Sequence, residues 1–271
     1  MSYVTAAEVR QVCGAPTALI SDADIEALIA NVESSTEGLM NTKFTPTQKI
    51  EITNGNNLDY IFTLYNPLLS VRELKTNSTA ITPEYLKLHK GSGQIVLGTG
   101  SEAGVFVYGN NTVAIKYLYG LQEYSSTTTT LSTATTTGSA VEMAVASSTG
   151  IVAEDWVEII GMDGYCEVAQ VSSVDTGVIT VDKLVYDHEA DSVITLLQIP
   201  KKLKYFIMFE AGIAVALNAI GSTYTFNTNY GLGELSVTKG VPYPHFNTQY
   251  EKLIKSRDEL RPILIPRPCI R

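Results

Sequence analysis

The stretch Tyr124-Ser-Ser-Thr-Thr-Thr-Thr-Leu-Ser-Thr-Ala-Thr-Thr-Thr-Gly138 is built almost entirely from serine and threonine. Such a run is typical of a flexible linker, but threonine is β-branched and also suits an extended strand. With either interpretation, the run marks a point where the chain changes character. It therefore indicates a boundary within the 271-residue sequence.

The charge of the chain changes at the same place. Residues 1–124 carry a net charge of −4, residues 125–198 carry −10, and residues 199–271 carry +5. In the middle segment Lys183 is the single basic residue. This change predicts a separate acidic domain, which we place at 122–198.

Short strands are predicted throughout the acidic segment. Apolar runs alternate with glycine-containing turns and cover 141–145, 156–160, 166–174, 178–182 and 192–197. Five short strands at this spacing are typical of a small all-β barrel or sandwich. We expect the two ends of the segment, Gln122 and Ile199, to lie close together. Removal of 125–198 should then leave the rest of the protein folded.

Two helices and a set of strands are predicted before this segment. Thr5 and Glu8 form a capping box, in which each side chain bonds a backbone N–H of the first turn. Ser21 opens a second helix at about 22–41. The hydrophobic period then changes to two, and a hairpin turn is predicted at 54–57. Further strands are predicted at 70–76, 85–89, 94–97, 104–108 and 112–119.

Two more helices are predicted after the acidic segment. Pro200 suits the first position of a helix that runs to Gly221. A last helix is predicted at about 246–261, and Pro262 should end it. The residues 262–271 contain three prolines and should form an extended, apolar and basic arm.

Together these elements predict an α+β fold. The expected base is a helical domain with a small β-sheet, formed by 1–121 and 199–261. The all-β domain at 122–198 should interrupt it, and the arm should follow it. The length is sufficient for two domains with their own cores.

The sequence contains no motif for catalysis, cofactor binding or metal binding. The sequence has no HExxH, GxSxG or P-loop pattern, and its three cysteines, Cys13, Cys166 and Cys269, are far apart. We therefore expect no enzymatic activity, no cofactor and no metal site. No apolar stretch is long enough for a transmembrane helix.

Two acidic clusters have a functional and a plain interpretation. Asp22, Asp24 and Glu26 resemble a metal cluster, but carboxylates at a helix start also complement the helix dipole, and we favour that interpretation. The second cluster offers oxygen ligands for Ca²⁺, although a solvated acidic face is favoured. It contains Asp182, Asp187, Glu189 and Asp191.

Several stretches in order resemble the head–tail adaptor (head–tail connector) proteins of tailed bacteriophages and related viruses. The opening at 3–10, the helix that follows 21–25, and the run Asn66-Pro-Leu-Leu-Ser-Val71 resemble the start of that family. The strand at 113–117 and the helix that begins at Pro200 resemble its later elements. The segment 122–198 departs from the family, because it lies between a strand and a helix that are adjacent there.

The resemblance implies a structural virion protein of the neck, made in the host cytoplasm. It would form a homo-oligomeric ring, usually of twelve copies, with no membrane contact. The ring would join the portal protein to the tail or head-closure protein, and genomic DNA would pass through its channel. The arm would bind the portal; its residues are Ile263, Leu264, Ile265, Pro266, Arg267, Pro268, Ile270 and Arg271.

Two further surfaces follow from the residues of the third helix. The small side chains of Ala211, Ala214 and Ala216 would let neighbouring subunits approach closely. Lys201, Lys202 and Lys204 oppose the dipole at a helix start, so DNA or an acidic partner surface would offset their charge. A solvated lysine patch is an equally good interpretation.

The alternative function is that of a binding module. In this alternative the β insertion recognises a glycan or a host surface, and the remainder serves as its base. Tyr165 and Trp156 would supply a stacking face, although Trp156 also suits a core position.

Overall fold

The computed structural model describes residues 3–15, 17, 20–82, 86–98, 104–161, 165–224 and 243–264. Within these residues there are four helices and thirteen strands, and the strands form three antiparallel sheets. The predicted α+β fold with a helical base and a small sheet is therefore wrong, because strands predominate. None of the helices in this part of the chain is long and apolar enough to cross a membrane.

The helices are α1 (Ala6–Cys13), α2 (Asp22–Met40), α3 (Lys201–Tyr224) and α4 (Tyr243–Leu264). The strands before the acidic segment are β1 (Thr47–Gly55), β2 (Tyr60–Phe62), β3 (Leu68–Thr76), β4 (Thr79–Ile81), β5 (Leu86–His89), β6 (Gln94–Leu97) and β7 (Gly109–Tyr119). The strands within it are β8 (Glu123–Thr130), β9 (Gly138–Ala144), β10 (Trp156–Ile160), β11 (Cys166–Asp175), β12 (Val178–Leu184) and β13 (Val193–Gln198).

The chain divides into a helical unit and a β unit. The helical unit combines Met1–Asn41 with Pro200–Arg271, and the β unit is Thr42–Ile199. The division therefore falls near residues 41 and 199, whereas the sequence placed it near 121 and 199. The difference arises because the strands before residue 121 pack against other strands, and the helices bury their apolar faces against one another.

The N-terminal helices begin where their caps predict. Thr5 Oγ1 accepts a hydrogen bond from the N–H of Glu8 at 3.2 Å, and the N–H of Thr5 donates to Glu8 Oε2 at 2.9 Å. The predicted capping box is confirmed. Ser21 caps α2 in the same way, by accepting from the N–H of Asp24 at 3.2 Å.

Helix α3 is the centre of the helical unit, because it packs against all three of the other helices. Its side chains Leu203, Ile207 and Val215 are fully buried. Apolar side chains of the other helices are buried as well, and they include Val9, Cys13, Ile25, Ile29 and Leu253. The helical unit therefore has an apolar core of its own.

Helix α4 continues past the position where the sequence predicted its end. It ends at Leu264 rather than at Pro262. Proline removes one backbone N–H, but in the last turn of a helix few further hydrogen bonds remain to be lost. Ile263 and Leu264 are thus helical and not part of an extended arm. Residues 265–271 lie outside the described residues.

Two small sheets form the first half of the β unit. One has the order β1-β7-β3-β4, and the other has the order β2-β6-β5. The predicted hairpin at 54–57 is wrong, because β1 pairs with β7 while β2 pairs with β6. Residues 104–108 do not form the predicted strand either, although Phe106 makes backbone hydrogen bonds with Asn57 and Leu58. Apolar alternation identified strands here, but it carries no information about their partners.

The acidic segment forms a six-stranded sheet with the order β8-β13-β10-β11-β12-β9. Its two edges meet beyond the ends of β8 and β9, where Leu131 and Val145 form a bridge. At that point the N–H of Ser132 donates to the carbonyl of Ala144 at 2.8 Å. The sheet therefore closes into a small barrel.

The serine- and threonine-rich stretch forms strand β8 and the closing bridge of this barrel. The part of the stretch up to Thr130 is therefore a strand rather than a linker. Glu123 in β8 pairs with Gln198 in β13, so the two ends of the acidic segment lie side by side as expected. The barrel core is apolar and includes Leu131, Met143, Val157, Ile159, Val171, Ile179, Val181 and Ile194.

Candidate functional site

The barrel and the four-stranded sheet share a small apolar cluster. Leu69 and Leu118 come from the sheet, and Val168 and Leu197 come from the barrel. All four are buried, and Trp156 packs against them. Trp156 thus packs within the β unit and does not form the predicted stacking face with Tyr165.

A buried ion pair lies beside this cluster. Arg72 in β3 contacts Glu167 in β11 with 3.2 Å between Nη1 and Oε1, and both side chains are almost fully buried. Arg72 Nη2 also donates to the carbonyl of Val168 at 2.7 Å. Because a buried charge without a partner is strongly unfavourable, each of these two residues needs the other.

Glu167 is the centre of a larger buried network. One carboxylate oxygen accepts the N–H of Val185 at 2.7 Å, and the other accepts the N–H of Tyr186 at 3.2 Å. The ring nitrogen Nε2 of His188 lies 3.4 Å from the second oxygen. The hydroxyl of Tyr186 donates to the carbonyl of Val71, and burial raises the pKa of this tyrosine well above its usual value. The network therefore fixes the chain at 185–188 against strand β3.

A second ion pair joins the same two halves of the β unit. Lys90, just after β5, contacts Glu158 in β10, whose side chain is only 1% exposed. Burial alone would lower the pKa of Lys90, but the Glu158 carboxylate outweighs this effect, so the pKa is raised. Lys90 Nζ also donates to the hydroxyl of Tyr124 at 3.3 Å. The lysine therefore stays protonated throughout the physiological pH range.

These contacts change the interpretation of the acidic segment. Its two buried carboxylates are neutralised by cations from outside it, and its apolar cluster is shared. It therefore lies in one compact unit with strands β1–β7, although its ends adjoin. None of these four charged residues was predicted from the sequence. A signal was present for Glu158, because it interrupts the otherwise apolar strand Trp-Val-Glu-Ile-Ile.

An open cleft of about 420 Å³ lies beside the Arg72 network. One side consists of residues from β3, β4 and the position after β4, namely Arg72, Glu73, Leu74, Ala80, Ile81 and Thr82. The other side consists of residues from the barrel, namely Thr137, Tyr165, Val185, Tyr186 and Asp187. The rings of Tyr165 and Tyr186 are 6.4 Å apart and tilted by 44°. Of the two predicted stacking residues, Tyr165 alone lines this cleft.

Two of the three predicted subunit-interface alanines are buried within the chain. Ala211 and Ala216 are 0% and 1% exposed, because α3 packs against its neighbouring helices there. They are therefore not available to a neighbouring subunit. Ala214 is half-buried and is the one of the three that retains accessible surface.

The three lysines predicted to contact DNA or an acidic partner also differ in their surroundings. Lys201 and Lys202 are exposed at the start of α3. Lys204 Nζ lies 2.7 Å from Glu8 Oε1, so an internal carboxylate offsets its charge and no external partner is required. This contact with Lys204 lowers the pKa of Glu8.

The two acidic clusters have identifiable roles in the chain. Asp22 Oδ1 accepts a hydrogen bond from Arg10 Nε at 2.7 Å, which ties the start of α2 to α1. Asp182 accepts the N–H of Gln170 at 2.9 Å, and Asp187 accepts the N–H of Thr137 at 2.7 Å. Among the described residues, no group of three or more His, Cys, Asp or Glu side chains is placed to hold a metal ion.

The chain was compared with known protein families and with curated proteins. No family model matches it, and no curated protein matches it.

Proposed function

We propose that this protein is a structural subunit of the neck of a tailed virus. In this proposal a homo-oligomeric ring, expected to contain twelve copies, joins the portal to the tail or head-closure protein and forms part of the DNA channel. It has no catalytic role.

The observation that carries the proposal is the composition of the helical unit. Two helices from the N-terminus and two from the C-terminus combine in one unit, and the β unit lies between α2 and α3 in the chain. The first hydrogen bonds of α3 go to the carbonyl of Pro200, from the N–H groups of Leu203 and Lys204. This element order supports the resemblance to head–tail adaptors, which also have paired N-terminal helices and a proline-started helix.

An exposed strand supports the formation of a ring. Strand β1 is at one edge of its sheet, and Ile50 and Ile52 are 63% and 62% exposed. A long edge strand with exposed apolar side chains tends to associate with another surface. Contact with the next copy in a ring would cover both isoleucines, and a ring requires such a heterologous, closing contact.

Images of the purified protein mixed with its cognate portal test the proposal. We expect rings seated on the portal, with the copy number given by native mass spectrometry. The variant I50K/I52K should form fewer rings. A protein that remains monomeric and does not bind the portal would contradict the proposal.

The arm provides a second test of portal binding. A chain that stops after Leu264 loses Ile265, Pro266, Arg267 and the residues beyond them. We expect it to fold normally and to lose portal attachment, because a proline-rich segment is already extended and loses little entropy on docking. Co-sedimentation with the portal is the measurement, and R267Q/R271Q separates the effect of charge from that of length. Unchanged attachment of the shortened chain would show that the arm is not the contact.

A further inference from the structure

The cleft beside Arg72 is lined by several residues that carry a hydroxyl group. Four of its residues carry one: Thr82, Thr137, Tyr165 and Tyr186. The two tyrosines also contribute aromatic rings, and Ala80 and Val185 contribute apolar surface from opposite sides. The cleft volume of about 420 Å³ is within the range of small-ligand sites.

Most charges around the cleft are already offset. Arg72 is paired with the buried Glu167, and Glu73 contacts Lys75 at 2.5 Å. Asp187 accepts the N–H of Thr137 through Oδ1, and no ion pair to it occurs among the described residues. One exposed carboxylate thus remains among many hydroxyls, which suits an uncharged hydrogen-bond donor better than an anion or a metal ion.

The walls of the cleft are held in place before any ligand binds. The hydroxyl of Tyr186 is fixed on the carbonyl of Val71, and its N–H is fixed on Glu167. The bond from Thr137 orients the Asp187 carboxylate. A ligand therefore needs to order few side chains, and this preorganisation lowers the entropic cost of binding.

We propose that this cleft binds a neutral saccharide. A sugar ring has an apolar C–H face, which can pack on the tyrosine rings, and hydroxyls at its edge. An ionised carboxylate only accepts hydrogen bonds, so Asp187 can receive the hydroxyl protons of the sugar. The binding surface combines residues of β3, β4 and the barrel, so the acidic segment alone does not form it. This proposal goes beyond the neck role and does not depend on it.

Titration of the full-length protein with sugars tests the proposal. The probes are maltotriose, cellotriose and triacetylchitotriose, and saturation-transfer NMR reports binding. We expect at least one of them to bind, and Tyr165→Ala and Asp187→Asn each to weaken its affinity by about tenfold or more. The matched controls are Tyr108→Ala and Asp175→Asn, which change an exposed tyrosine and an exposed aspartate elsewhere and should leave the affinity unchanged.

The possible results separate clearly. No binding of any probe at millimolar concentration overturns the proposal, as does binding that the two cleft variants leave unchanged. Binding of an arginine-rich peptide in place of the sugars would assign the cleft to a basic partner segment and also overturn it. Portal attachment of Y165A and D187N should equal that of the natural sequence, so the result is independent of the neck role.

Discussion

Individual charged residues hold the two halves of the β unit together. Arg72 and Glu167 are 95 positions apart in the chain, yet their side chains are 6% and 1% exposed. Burying both charges is unfavourable in itself, so such a pair adds little to the free energy of unfolding. Once one of the two charges is buried, however, the other must be present to neutralise it. A charge within an apolar strand indicates that a buried partner exists. It does not indicate which residue that partner is.

The variant Arg72→Met should destabilise the protein by about 3–5 kcal/mol, because it leaves the Glu167 carboxylate buried without a cation. Urea unfolding measures this loss. The control is Lys75→Met on the same strand, whose pair with Glu73 is exposed and contributes at most about 1 kcal/mol. The double variant R72M/E167Q removes both charges and should recover part of the stability. A loss equal to that of the control would show that the pair is not buried in solution.

The positions of single helices and strands could be predicted from the sequence, but the pairing of distant strands could not. Five of the six barrel strands lie close to their predicted positions, and β10 matches its prediction at both ends. The predicted helix starts at Thr5 and Ser21 are correct, since capping is a local interaction. The hairpin at 54–57 was wrong because strand pairing depends on distant residues. The cleft was not predicted for the same reason, since its two sides come from separate parts of the chain.

The contact between α1 and α3 has a predictable pH dependence. The pKa of Glu8 is lowered from 4.5 mainly by Lys204, so the pair stabilises the folded state above the unfolded pKa and is lost as pH falls through the folded pKa. Glu8→Gln keeps the capping box, since glutamine also serves at that position. It should cost about 0.5 kcal/mol at pH 7, because the pair is partly exposed, and nothing once Glu8 is protonated.

Urea midpoints of the two proteins, measured as pH is lowered from 7 to below 4, test this expectation. Glu251→Gln is the control, because Glu251 is an exposed glutamate on α4. A difference between E8Q and the natural sequence that persists in acid would mean that the lost interaction is not electrostatic.

At the scale of the whole molecule, the acidic segment is part of the β unit. Replacement of 125–198 by a short glycine linker would expose Leu69 and Leu118 and would leave Arg72 and Lys90 without their carboxylates. We therefore expect residues 42–121 to lose cooperative unfolding, contrary to what the sequence suggested. Thermal unfolding and limited proteolysis of the shortened chain measure this. A sharp unfolding transition for the remaining strands would restore the view that the segment is a separate insertion.

The order of the helices in the chain also determines when they can pack. Helices α1 and α2 emerge from the ribosome before their main partner α3, which begins at Lys201, after the entire β unit. During translation the apolar side chains of Ile25 and Ile29 therefore remain without α3 until more than 150 further residues have been added. Contacts between distant segments form late and leave apolar surface exposed to aggregation. Nascent chains of this protein should accordingly depend on chaperones until both ends have been synthesised.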